Sequence, residues 1–365
     1  MDFKEFVKEV SEKIRDFLPD WLKDAEIKIN EVTKNNGLKL TGLTIRNEDS
    51  NISPTIYLES FYERFKEGAM NLGEVMQAIA NTRAEHEPSH DFNVGYLTDI
   101  DSIRDRITCK LVNRDLNTEF LENRPYTVVE DLAIVYMVDL GNNGSGRMTA
   151  GITDSLMETY GITKEELHNI AMDNLSRADI SFRSMWDVLS ELNPVMFSPD
   201  NEEMRAEVET SPMHILTIRD TTFGAAAVLD TATMDDIAQK LGGDYVVIPS
   251  SVSEVIIVPI NPEMTMSNRQ LNEMVHEVNE TELAVEDRLS DHVYMYDAKE
   301  HELVSAAHYE ERQAERSAEK TADREAGKDE VSSVKDKLAD KSAEVAKKEA
   351  VREKPAKVRD TAVRS

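Results

Sequence analysis

The chain has 365 residues, of which 40% are apolar, 6% aromatic and 31% charged, and its formal net charge is −29. The last 55 residues carry 15 Lys/Arg against 13 Asp/Glu, which leaves 27 basic and 58 acidic residues in the first 310. A body with that field repels phosphate backbones and anionic lipid, which argues against direct nucleic-acid or membrane binding and points to a protein as partner. The length suits one large domain or two ordinary ones plus a tail. Cys109 is the lone cysteine, so no internal disulfide can form, and it reads as a small core residue in a reducing compartment. The first residues are charged at once and lack the apolar stretch of a signal peptide. No apolar run reaches bilayer length. Together these features give a cytoplasmic expectation.

Phe3, Phe6, Val7, Val10, Ile14, Phe17 and Leu18 recur at helical spacing, so an amphipathic helix opens the chain and stops before Pro19. Residues 27–32 and 38–45 flank Asn35-Asn36-Gly37, a hairpin signal. Residues 55–66 read as a helix. Leu72, Val75, Met76, Ile79 and Ala80 mark the inner face of another, closed by Pro88. Residues 99–113 are ambiguous between helix and strand. A strand over 132–140, a turn over 141–146 and a returning strand over 147–153 follow. Thr163 and Glu166 form a capping box for a helix with Leu167, Ile170, Ala171 and Leu175 inward.

Beyond the proline-containing stretch 193–212, strands are expected at 215–218 and 225–229. A helix over 234–241 ends at Gly242-Gly243. Residues 245–248 and 255–258 are apolar at odd and even positions alike, as in strands buried on both faces. Val247, Ile248, Val255, Ile256 and Ile257 are therefore expected among the most buried side chains. A helix then turns Leu271, Met274, Val275 and Val278 inward, and 293–296 is the last expected strand.

The irregular alternation gives α+β, with mainly antiparallel or mixed sheet and flanking helices. The expected layout is an N-terminal region 1–192, a polar connector 193–212 and a C-terminal region 213–309, the two regions being separate or continuous. A charged tail, disordered or transiently helical, occupies 310–365.

Several motifs touch on chemistry. His86-Glu87-Pro88-Ser89-His90 matches the zinc-protease pattern, but Pro88 breaks the helix that must carry both imidazoles. His301 and His308 make at most an incomplete pair of ligands. His168 and His276 read as surface residues and His214 as half-buried. The glycines of 141–146 lack both a following helix and a Gly-Lys-Ser/Thr ending, which favours a hairpin turn over a phosphate loop. No catalytic residue, metal ligand or cofactor-binding residue is assigned. Ser250, Ser251, Ser253 and Glu254, between the two apolar blocks, remain as weak ligand-contact candidates; no elbow, histidine or acid makes a nucleophile of any serine there.

The runs Ile52-Ser53-Pro54-Thr55-Ile56-Tyr57-Leu58, Asp131-Leu132-Ala133-Ile134-Val135-Tyr136 and Gly161-Ile162-Thr163-Lys164-Glu165-Glu166-Leu167 follow in order along the chain. Phe223-Gly224-Ala225-Ala226-Ala227, Pro249-Ser250-Ser251 and Leu289-Ser290-Asp291 complete the series. Over about residues 1–305 the chain resembles an uncharacterised bacterial family from Firmicutes, domain of unknown function 5688. The resemblance implies one cytoplasmic globular unit and no established activity. It also implies a His in many relatives where Ser253 stands, so any role of that His is missing here. The leading expectation is a non-enzymatic binding or accessory protein that engages another protein. The alternatives are a hydrolase-like enzyme with a pocket near 249–254, or an acidic decoy of a basic nucleic-acid-binding protein.

Overall fold

The computed structural model describes residues 1–47, 53–86, 94–142, 147–198, 200–210, 213–219, 223–260, 267–319 and 341–342. The chain divides into two compact units, Met1–Ala306 and Ala307–Ser365. In the second, residues 307–319 are helical, and most of the expected tail lies outside the described residues, as do Glu87 to His90 and Asn143 to Gly146.

The first unit begins with α1 (Phe3–Phe17), whose N-terminus is held by a capping box between Asp2 and Glu5. The strands β1 (Glu26–Thr33) and β2 (Lys39–Arg46) form the expected hairpin. Its turn needs Asn36 and Gly37 because both have left-handed backbone, φ 58° and 70°. The next segment departs from a single helix. Thr55–Tyr57 is β3, paired with β2, and α2 covers only Glu59–Lys66. The β-branched pair Thr55-Ile56 follows Pro54, and pairing with the edge of β2 outweighs helix propensity. Then α3 (Leu72–Glu85) packs on α1, and Phe6, Val10, Ile14, Leu43, Ile45, Val75 and Ile79 form a core of their own.

The ambiguous segment splits into a short helix, α4 (Ile100–Ile103), and β4 (Ile107–Asn113). After α5 (Thr118–Leu121) come β5 (Tyr126–Val129), β6 (Leu132–Asn142) and β7 (Arg147–Gly151). They form a four-stranded sheet in which β4, β5 and β7 all pair antiparallel with β6. The helices α6 (Asp154–Tyr160) and α7 (Lys164–Leu175) follow. The predicted capping box of α7 is present, with Leu167, Ala171 and Leu175 buried.

A six-stranded antiparallel sheet completes the unit. It comprises β8 (Ile180–Ser184), β9 (His214–Ile218), β10 (Tyr245–Pro249), β11 (Val255–Pro259), β12 (Tyr294–Asp297) and β13 (Glu302–Ser305), in the order β13-β12-β10-β11-β9-β8. The helices α8 (Met185–Leu192) and α9 (Glu202–Thr210) join β8 to β9. Farther on, α10 (Thr231–Leu241) precedes β10, and α11 (Asn268–Glu282) lies between β11 and β12. Every described strand pairing is antiparallel, so the fold is α+β. One core takes residues from both large sheets, from Ile107, Tyr136 and Leu167 to Tyr245, Ile257 and Tyr296. Among the described residues no helix is long and apolar enough to cross a membrane.

Three expectations need correction here. Residues 224–229 are a 3-10 turn rather than a strand, and Ala225, Ala226 and Ala227 are small enough to be packed in it without exposure. The inner stripe of α11 is Leu271, Val275 and Asn279, whereas Met274 and Val278 are 40% and 46% exposed. The Asn279 amide is buried because it donates to the Ser290 carbonyl and the Asp291 carboxylate, which satisfies it. In the central hairpin, Val247, Val255 and Ile257 are buried, but Ile248 and Ile256 are only half-buried. The hairpin's pleat sends Ile257 into the main core and Ile256 to the opposite face.

This asymmetry sets a test. Ile257→Ala leaves a cavity and costs about 2–5 kcal/mol. Ile256→Ala, able to relax toward solvent, costs about 1 kcal/mol. Urea unfolding of both variants checks this, and a larger loss at Ile256 contradicts the assigned faces.

Candidate functional site

The polar insert between β10 and β11 brings Ser250, Ser251, Ser253 and Glu254 to one end of the large sheet. The chain turns because the Ser251 amide donates to the Glu254 carbonyl at 3.1 Å, and the Ser253 amide donates to Ser251 Oγ at 3.1 Å. Buried Val252 donates its amide to the Asp287 carbonyl and accepts from the Ala225 amide. Thr217 Oγ1 donates to the Ser253 carbonyl at 2.8 Å. These bonds tie the insert to β9, to the 3-10 turn and to the segment before β12.

Glu254 opens onto a cleft, which it lines with Ser181, Arg183, Glu191, Thr217 and Arg219. Burial pushes the Glu254 carboxyl up from its ordinary value, and a hydrogen bond with Ser250 opposes that shift. Arg183 is paired with Glu191 at 2.7 Å. The structure therefore joins Ser250 to Glu254 and uses the Ser251 hydroxyl as a backbone acceptor. His214, half-buried as expected, stacks on Phe182 with ring centroids 4.7 Å apart, and burial lowers its pKa.

A second constellation was invisible to sequence reasoning. Asp131 follows Glu130, which has a left-handed backbone of φ 55°, in the turn between β5 and β6. Its carboxylate accepts from Ser290 Oγ at 2.8 Å and from Tyr294 OH at 2.6 Å, and it lies 3.1 Å from His292 Nδ1. Serine, histidine and aspartate are all present, but not in nucleophilic order. A triad needs the hydroxyl on the imidazole and the imidazole on the acid. Here hydroxyl and imidazole share the acid, and Ser290 Oγ also accepts the His292 amide. The arrangement anchors one sheet to the other across a sequence separation of 159 residues. Burial, followed by the neighbouring Asp131 charge, raises the Tyr294 hydroxyl far above its ordinary value.

The other histidines are dispersed. His276 faces Asp291 at 2.9 Å and is exposed, whereas His168 is half-buried, with Nδ1 3.0 Å from Tyr136 OH. His301, in a left-handed turn position before β13, lies 2.8 Å from Asp235, which also accepts Tyr296 OH at 2.6 Å. The Asp235 hydrogen bond and charge raise the pKa of His301. His301 and His308 do not share a helix, because β13 intervenes. Cys109 is buried, and burial pushes its thiol up to about 12. Among the described residues no three His, Cys, Asp or Glu side chains are grouped as a metal ion requires.

Searches of curated proteins and of solved structures each found no match. Residues 3–298 match the model of a family described as "Family of unknown function (DUF5688)". That match takes in all three sheets except β13 and stops before the second unit. The chain therefore belongs to the family of unknown function DUF5688.

Proposed function

We propose that this protein is a non-enzymatic binding or accessory protein of the bacterial cytoplasm, engaging a protein partner of complementary basic charge. The observation that carries this reading is the occupation of the insert's hydroxyl and backbone groups. Ser251 Oγ holds the Ser253 amide, and the Ser253 carbonyl holds Thr217. Groups spent on closing a turn are structural, and the 58 acidic residues of the body favour a basic partner. One observation favours hydrolase chemistry as a second reading: a carboxyl raised by burial, Glu254, faces a cleft that also holds Arg183 and Arg219.

Two measurements separate the readings. Crosslinking of the full chain in cell extract should trap a basic protein whose association weakens as salt rises. Turnover of ester, phosphoester, glycoside or peptide substrates should be absent. Turnover lost in both Glu254→Gln and Ser251→Ala, with folding intact, establishes the enzyme instead.

A further inference from the structure

Among the described residues, two half-buried cations of this acidic chain lie together without a carboxylate partner. Lys110 and Arg124 have no ion pair or side-chain hydrogen bond among the described residues. They lie on the face of the four-stranded sheet that is turned away from the main core. Alternation along β4 sends Ile107, Cys109 and Leu111 into that core, and Thr108, Lys110 and Val112 to the other face. There Val112, Leu121, Ala133 and Val135 make a small apolar floor, with Phe120 and Tyr126 against it. Lys110 Nζ lies 5.1 Å from the ring centre of Phe120 and 4.9 Å from that of Phe223. The Arg124 guanidinium lies 4.2 Å from the Phe120 ring centre. Arg124 also rests against Gly151, where a Cβ would come within 2.1 Å of Nη1. Burial lowers the pKa of both cations, and the charges of Arg124 and Lys34 lower that of Lys110 further.

Two half-buried like charges held together repel each other, and the ring faces offset only part of that repulsion. An anion completes the balance. We propose that Lys110 and Arg124 bind the phosphate group of a small phosphate monoester, with Phe120 and Phe223 as apolar walls for its organic part. A phosphate monoester supplies about two negative charges in one group near neutral pH, matching the two cations. The arginine fork and the lysine point charge suit its several oxygens. The strong negative charge of the body excludes a nucleic acid or a lipid surface as the source of that phosphate, because a polyanion meets the whole field and a small ligand meets only the local one. Phe223 also lines an adjoining cleft of about 340 Å³, whose volume suits the organic part of a small molecule; the cleft holds Asp105, Asp139 and Asp179 beside Arg106 and Arg147, so its carboxylates direct the phosphate group away from it and toward Lys110 and Arg124.

The test is calorimetric titration of the full chain in chloride buffer with phenyl phosphate, inorganic phosphate and benzoate. The expected result is saturable binding, tightest for phenyl phosphate and weakest for benzoate. Affinity should fall about tenfold or more in Lys110→Met and in Arg124→Gln. Lys110→Arg, which keeps the charge, should retain part of the binding, and Lys299→Gln, remote on the surface, should retain all of it. If either charge-removing variant fails to fold, the other with Lys110→Arg still decides. No heat with phenyl phosphate overturns the proposal. So does binding that survives both charge-removing variants, and so does benzoate binding as tightly as phenyl phosphate, which assigns the site to carboxylates.

Discussion

Lys110→Met is expected to raise stability at pH 7 by about 2 kcal/mol, although it removes a side chain from a packed site. The physical reason is the charge. Burial and two neighbouring cations bring the Lys110 ammonium from an ordinary 10.5 to about 8 in the folded chain. Each unit of that displacement corresponds to about 1.4 kcal/mol. Residual solvent contact and the two phenyl faces return about 1 kcal/mol or more. Methionine keeps the apolar stem and leaves no charge to desolvate. The pH dependence distinguishes this from a packing effect. Between about pH 8 and 10.5 the unfolded chain holds the Lys110 proton and the folded chain does not, so the stability of the natural protein rises with pH across that window. The advantage of Lys110→Met is therefore full below pH 8 and disappears as pH approaches 10.5. Cys109 also titrates high, but it is common to both proteins and cancels in the difference. Urea unfolding at pH 7, 8.5 and 10 measures the effect. A loss of stability at pH 7 would mean that the ring contacts outweigh desolvation and that Lys110 is a structural residue.

Gly224→Ala is expected to be the most damaging single-methyl change in the unit. A Cβ built at Gly224 falls 2.0 Å from Thr217 Oγ1, 2.3 Å from the Ser253 carbonyl oxygen and 2.8 Å from the Ile218 amide nitrogen. The first contact involves a short side chain, but the other two involve backbone. One belongs to β9 and the other to the polar insert, so neither can move without disturbing the sheet. The added methyl also wedges apart the 2.8 Å hydrogen bond between Thr217 and the Ser253 carbonyl. Overpacking of this kind costs about 3 kcal/mol or more. Thermal melting of the variant should show a large fall or no cooperative transition. Adding Thr217→Ala removes only the side-chain contact and should not rescue the fold. A full rescue would show that the backbone atoms can yield and that the glycine requirement is weaker than the distances imply.

Both effects arise where distant segments meet, and this is where sequence reasoning ends. The N-terminal hairpin turn shows the limit within one motif. Asn35-Asn36-Gly37 announced itself by composition, because left-handed backbone admits few residues. Its second role did not. The Asn36 side chain donates to the carbonyls of Val285 and Arg288 and accepts from the Asn117 amide group, the Asn36 backbone amide donates to Asn117 Oδ1, and the Asn35 side chain donates to the Glu286 carbonyl. A turn residue and a clamp residue look alike in sequence. The polar insert was likewise legible as a loop between two strands, but whether its serines faced a ligand or their own backbone depended on Thr217, Ala225 and Asp287.

The sequence by itself determined the features set by local physics. These are the stripe of α1, the capping box of α7, the end of α10 at left-handed Gly242 and the strand character of the two apolar blocks. Each follows from neighbours within a few residues, where spacing and steric freedom suffice. Tertiary structure alone decided that 55–57 pairs as an edge strand, that 224–229 coils into a 3-10 turn and that Ile257 rather than Ile256 enters the main core. It also decided the meeting of Asp131 with Ser290, and of Lys110 with Phe120, Phe223 and Arg124. Those outcomes depend on which surfaces are brought together from far along the chain, and neither periodicity nor propensity carries that information.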